Sequence, residues 1–82
     1  LNDIKKYRLT LSADCGENDL INLMKNIHDD VELSSLPKIV DGRRSVVLSL
    51  SSYKEDLLKK EFFEFTNFLD KEGISYVLKD KN

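Results

Sequence analysis

Apolar and polar residues alternate in three parts of the chain, and this spacing of two predicts β-strands that bury one face. The three parts are Tyr7–Ala13, Arg43–Ser51 and Ile74–Lys79. A fourth extended segment is expected within residues 32–40. Pro37 places this segment at a sheet edge, because proline cannot donate a hydrogen bond to a neighbouring strand.

Two other segments repeat their apolar residues every three or four positions, which predicts amphipathic helices. The first helix is expected to begin after Asp14–Glu17 and to end near His28. The second is expected to begin at a capping box formed by Ser52 and Glu55 and to end at Gly73, because glycine favours a helix C-terminus. The expected buried stripes are Leu20, Leu23, Met24, Ile27 and Val31 in the first helix and Leu58, Phe62, Phe65 and Leu69 in the second.

The elements follow one another in the order β-α-β-β-α-β, with Asp41-Gly42 as a hairpin turn between the second and third strands. We expect one α+β domain over residues 1–82, with a four-stranded antiparallel sheet and both helices on one of its faces. Right-handed crossovers then give the strand order 4-1-3-2. This order of elements resembles the ferredoxin-like (βαββαβ) superfold. The resemblance identifies no family and implies a fold without an activity.

The composition of the chain leads to expectations about its cellular location and its source. No apolar run approaches the ~18 residues of a membrane span, and the first residues lack the pattern of a signal peptide. The single cysteine excludes an intramolecular disulfide and favours a reducing, cytoplasmic location. Residues with AT-rich codons, such as the 10 lysines and 6 asparagines, outnumber alanine, glycine and proline, which indicates a low-GC bacterium or a lytic phage as the source.

The predicted architecture leaves one sheet face without a helix over it. The side chains assigned to this face are Lys6, Arg8, Thr10, Ser12, Lys38, Val40, Arg43, Ser45, Val47, Ser49, Ser75, Val77 and Lys79. None of them is a carboxylate, although acidic residues outnumber basic ones by 15 to 13 over the chain. We therefore expect a basic, hydroxyl-bearing sheet face and an acidic helical layer.

Lysine, arginine, serine and threonine on one face favour contact with phosphate groups, so RNA binding is the leading functional hypothesis. The face resembles the RNA-binding surface of RNA-recognition-motif proteins in its position on the fold. It departs from that family because the strand Arg43–Ser51 has no aromatic residue on which a base could stack, which favours contact with the RNA backbone or with structured RNA. The candidate RNA-binding residues are Lys6, Arg8, Arg43, Arg44 and Lys79, with Lys38 as a weaker candidate.

The same residues allow other interpretations. Lysine, arginine, serine and threonine are also ordinary on a sheet face that is simply exposed to water. Val47 and its valine neighbours could instead dock a protein partner, and Phe63 lies off the buried stripe of its helix. This alternative describes a protein-binding module or an inhibitor, encoded by a phage and directed at a host or defence factor or a ribonucleoprotein. Homodimers through sheet edges or faces are a further option.

Catalysis is not expected. The dipole of the first helix lowers the pKa of a thiol at Cys15, but a catalytic thiol needs a base, and His28 lies at the far end of the same helix. The loop after the first strand has one cysteine where heavy-metal-binding domains of this superfold have two, and carboxylates where acylphosphatases hold phosphate with arginine. The pair Asp29-Asp30 is expected to be a solvated helix end. The sequence predicts neither an enzyme nor a cofactor or metal site.

Overall fold

A computed structural model describes residues 4–79 and has an α+β architecture with four strands and two α-helices. The elements in chain order are β1 (Tyr7–Ala13), a 3-10 helix (Glu17–Leu20) that leads into α1 (Ile21–Lys25), β2 (Glu32–Val40), β3 (Arg43–Ser52), α2 (Glu55–Glu72) and β4 (Tyr76–Leu78). All pairings in the sheet are antiparallel, in the order β2-β3-β1-β4. This is the predicted order 4-1-3-2 read from the other edge, and the arrangement is compatible with a ferredoxin-like fold.

The hydrophobic core lies between one face of the sheet and the helices, as expected. The four residues predicted for the second helix form its buried stripe, and each is at most 8% exposed. They pack with Leu20 of the 3-10 helix and with the inward residues of the two central strands. The fully buried sheet residues are Leu11 and Ala13 of β1 and Val46, Leu48 and Leu50 of β3. Both helices therefore cover the same face.

The hairpin between β2 and β3 turns at Asp41 and Gly42, whose φ angles are 53° and 74°. Two successive positive φ angles define the type I′ turn that the Asp-Gly dipeptide predicts. Such a two-residue turn closes on a hydrogen-bonded pair, here Val40 and Arg43, and hydrogen-bonded pairs then alternate along the ladder. Pro37 falls on a non-hydrogen-bonded pair, so its nitrogen faces the free edge of the sheet and no ladder bond is lost. The predicted edge position of β2 is confirmed.

The ends of two elements, the first helix and the last strand, differ from the sequence-based expectation. The first helix ends at Lys25 instead of His28, because the Asn26 side chain donates to the Asn22 carbonyl and competes with the backbone there. The last strand begins at Tyr76 instead of Ile74, because the Ile74 amide donates to the Leu69 carbonyl at the end of α2.

None of the helices within residues 4–79 has the length and apolar character to cross a bilayer.

The predicted capping box was wrong. Ser52 is the last residue of β3, and Lys54 is the N-cap of α2. The Ser52 hydroxyl is buried, donates to the Asp30 carbonyl at 2.8 Å and accepts from the Lys54 amide at 3.0 Å. A serine followed by glutamate three residues later thus ties a strand end to a loop here instead of opening the helix.

Candidate nucleic-acid interface

The sheet side that faces away from the helices is called the open face below. Residues paired across antiparallel strands share a face, so the register identifies its members. They are Arg8, Thr10 and Ser12 of β1; Glu32, Ser34, Leu36, Lys38 and Val40 of β2; Arg43, Ser45, Val47, Ser49 and Ser51 of β3; and Val77 of β4. Lys79 extends the set because its amide donates to the Thr10 carbonyl at 2.8 Å. Lys6 extends it beyond Arg8, where its ammonium binds Glu32.

Basic residues stand at both ends of the open face. Arg43 and Lys38 lie near the hairpin turn, and Arg8 lies opposite Ser51 at the far end of β3. Arg43 and Ser51 are about 27 Å apart along β3, at a rise of roughly 3.4 Å per residue. Among the ion pairs of residues 4–79, none involves Arg8, Lys38, Arg43 or Lys79. No carboxylate within residues 4–79 neutralises any of these four charges.

The expectation of a carboxylate-free face was wrong at one position. Glu32 lies on the open face, and its Oε1 atom is 2.7 Å from the Lys6 ammonium. This hydrogen bond is the main reason that the pKa of Lys6 is raised, and the nearby Arg8 opposes it with a smaller effect. The strand β2 begins at Glu32, and alternation from Lys38 assigns position 32 to the same face. That continuation of the pattern was the missed signal.

Arg44 does not lie on the open face with the other candidate RNA-binding residues. It is paired with Ile39, and its guanidinium lies on the helix side, against Gly16. A Cβ atom on Gly16 would stand 3.0 Å from the Arg44 Cζ atom. The reason is the pleat, because Arg43 and Arg44 are adjacent in a strand and point to opposite faces.

Hydroxyl groups occupy the middle of the open face towards its Arg8 end. The Thr10 and Ser49 hydroxyls are 2.8 Å apart and form a hydrogen bond across β1 and β3. Ser34 and Ser51 flank them, and together with Arg8 and Glu32 they line a shallow depression of about 280 Å³. Hydroxyl groups of this kind donate to phosphate oxygens and exchange hydrogen bonds with sugars.

An apolar row crosses the open face between the two basic ends. Leu36, Val47, Ser12 and Val77 lie side by side on the four strands. The candidate partner-binding residue Val47 is half-buried in the centre of this row. The other candidate, Phe63, is 61% exposed on α2 and belongs to the helical layer. The structure does not bring the two together.

Tyr53 is an exposed aromatic residue that the sequence analysis missed. It is 59% exposed, and the Lys6 ammonium lies 5.5 Å from the centroid of its ring. The same ammonium binds Glu32, so Tyr53 stands at the Arg8 end of the open face. The expected capping box of Ser52 and Glu55 places Tyr53 at the start of a helix, whereas continuing the alternation of β3 two residues past Ser51 places it on the open face.

Two residues considered above for chemistry, Cys15 and Asp30, take part in core packing and in an ion pair. Cys15 is 7% exposed, and burial is the largest cause that raises the pKa of its thiol, followed by Asp19 and Asp14. This is opposite to the helix-dipole expectation. The Asp30 carboxylate pairs with Lys54 at 2.6 Å, which lowers the pKa of Asp30. Within residues 4–79, no three His, Cys, Asp or Glu side chains are grouped as metal ligands would be.

Comparison with known proteins adds information on the fold alone. No protein-family model matches the chain, and a search of curated proteins finds no similar sequence. Among solved structures, the chain is similar to a de novo designed protein, Foldit4, with a TM-score of 0.56 and 15% sequence identity. The match covers 95% of this chain and 100% of the designed one. At this identity the likeness carries the α+β architecture and no function.

Proposed function

We propose that this protein is a non-enzymatic, ferredoxin-like binding domain that holds RNA against its open face. The observation that carries the proposal is the charge of that face. It has five basic side chains and one carboxylate, whereas the whole chain has a formal charge of −2. In this proposal Arg8, Lys38, Arg43 and Lys79 contact phosphates, and Lys6 acts as a partner of Glu32.

The shape of the surface favours single-stranded or looped RNA over a duplex. An unpaired strand can lie across an uncovered sheet, whereas an RNA duplex hides its base edges in a deep, narrow groove that side chains do not read. Basic groups at both ends of the open face then hold the backbone, and the hydroxyl groups between them lie within reach of 2′-OH groups. Phosphate contacts of this kind make affinity strongly dependent on salt.

The test is fluorescence anisotropy with a labelled oligouridine of about 12 nucleotides, a length within the range of known single-strand sites. The double variant Arg8→Glu with Arg43→Glu is expected to bind at least ~10-fold more weakly, and its slope of log affinity against log salt should flatten by about 1 to 2. The control is Lys60→Glu with Lys71→Glu, which makes the same charge change on α2 and should retain most of the affinity. Unchanged binding in the sheet variant, or an equal loss in the control, overturns the proposal.

A second candidate function is favoured by the apolar row. Leu36 and Val77 are 57% and 62% exposed. Leu36 lies beside the half-buried Val47, and Ser12 separates Val47 from Val77. Such a row suits a protein partner, including a target that the domain inhibits, a ribonucleoprotein or a second copy of the chain. Phe63 would then form a separate contact on the helical layer.

A further inference from the structure

We infer that Tyr53 is a stacking site for one unpaired nucleobase at the Arg8 end of the open face. The inference rests on the proposed RNA binding and names where a base, as opposed to a phosphate, is held. Any nucleobase has a π-face, so a single exposed tyrosine binds bases with little sequence preference.

The ring of Tyr53 is exposed to solvent. Tyr53 is outside the hydrophobic core cluster, and more than half of its surface is accessible. A tyrosine usually buries its ring and leaves only the hydroxyl in water. The Lys6 ammonium lies over the ring at 5.5 Å from its centroid, and the exposed part of the ring offers a surface to a planar ligand.

Lys6, the cation beside the ring, already has an acidic partner. Its charge is already matched by Glu32 at 2.7 Å, so this corner attracts a nucleic acid less by charge than the hairpin end does. The same ammonium lies over the Tyr53 ring, so one lysine makes both the ion pair and the cation–π contact. This corner thus combines an exposed aromatic ring with Arg8, which has no ion-pair partner among residues 4–79.

The surface at this end of the open face carries hydroxyl groups and a guanidinium. The depression lined by Arg8, Ser34, Ser49 and Ser51 lies on the same end of the open face. A nucleotide whose base stacks on Tyr53 can direct its sugar towards these hydroxyls and its phosphate towards Arg8. The base, the sugar and the phosphate of one nucleotide would then each contact the protein.

The test compares two polyanions that differ in whether they carry bases. Oligouridine has phosphates and bases, whereas inorganic polyphosphate has phosphates alone. Tyr53→Ala is expected to lower the affinity for oligouridine by about 5- to 100-fold, which is the effect of removing one base-stacking side chain. Its affinity for polyphosphate, measured by titration calorimetry, should not change. Tyr53→Phe is the matched control and should keep the wild-type affinity for both.

The outcomes separate this inference from the proposed function. If the wild-type protein binds oligouridine and Tyr53→Ala binds it equally well, the stacking site is overturned and RNA binding stands. If Tyr53→Ala weakens oligouridine and polyphosphate by the same factor, stacking is also overturned. If the wild-type protein binds no RNA, the proposed function itself fails. Circular dichroism of each variant checks the fold, which an exposed side chain should not alter.

Discussion

Single polar side chains decide how the connections of this fold are held. Ser52 is 2% exposed and is the only polar residue among those buried within residues 4–79. Its hydroxyl satisfies the Asp30 carbonyl and the Lys54 amide, so it joins the loop before β2 to the start of α2. A buried polar group that loses its partner costs more than the bond itself is worth, because the partner cannot return to water.

Ser52→Ala is therefore expected to lower the free energy of unfolding by about 1–3 kcal/mol. Urea unfolding followed by circular dichroism measures this change. Ser51→Ala is the matched control, since Ser51 precedes it in the same strand but lies on the open face, and it should lose much less. Equal stability of the two variants would show that the buried hydroxyl has no special role.

The residue scale also shows what the sequence could not reveal. The pattern of Ser52 and Glu55 is the same whether the serine caps a helix or ends a strand, and only the position of Asp30 distinguishes them. The raised pKa of Cys15 likewise depends on burial and on Asp19, which come from packing. A local sequence pattern therefore predicts the environment of a residue only where that environment is set within a single helix or strand.

At the scale of elements, the hairpin is the connection that the sequence predicts most completely. Asp41 and Gly42 were expected to turn between two strands, and both have the positive φ angles of a type I′ turn. Gly42 has nothing within 4 Å of where a Cβ would stand, so space does not limit substitution there. The conformation does, because a positive φ is strained for residues with a Cβ.

Gly42→Ala is expected to destabilise the protein by about 1 kcal/mol. Asp41→Asn is the control and should keep or slightly raise stability, because asparagine tolerates the left-handed conformation best among residues with a side chain. The midpoint of urea unfolding reports both changes. A Gly42→Ala variant as stable as the wild type would contradict the assignment of strain to this turn.

Strands and their order were predictable, whereas element ends were not. The alternation of apolar and polar residues in β1 and β3 predicted which side chains face the core. Pro37 predicted that β2 lies at an edge of the sheet. The start of β2 was less clear, because its outward side chains lie on an edge with little burial, and Glu32 was missed for this reason. The ends of α1 and β4 depend on hydrogen bonds from Asn26 and Ile74 that a residue pattern does not encode.

At the scale of the molecule, charge is divided between two layers. The helix α2 carries six acidic and three basic residues, and the open face has the reverse imbalance. A chain with a net negative charge can thus present a positive surface, and its field orients an approaching polyanion towards the sheet. The apolar row in the centre of that surface favours a protein partner, so the two candidate functions differ in the role that they give to this row.

Substitutions of Val47 distinguish RNA binding from protein docking. Val47→Lys adds a cation to the open face, so RNA affinity should rise and the salt slope should steepen by about 1. Val47→Asp should weaken RNA binding. A protein contact on the apolar row would be lost with either charge, because each would be buried without a partner. Anisotropy with oligouridine and co-purification from cell extract measure the two effects.

Pro37 in β2 affects how readily copies of this protein associate through the edge of the sheet. A nine-residue border strand offers a template on which further chains could stack into fibrils. Pro37 removes a donor from the middle of that border, and the following lysine adds repulsion between copies. The molecule can therefore keep a long border strand with a lower tendency of that strand to seed aggregation.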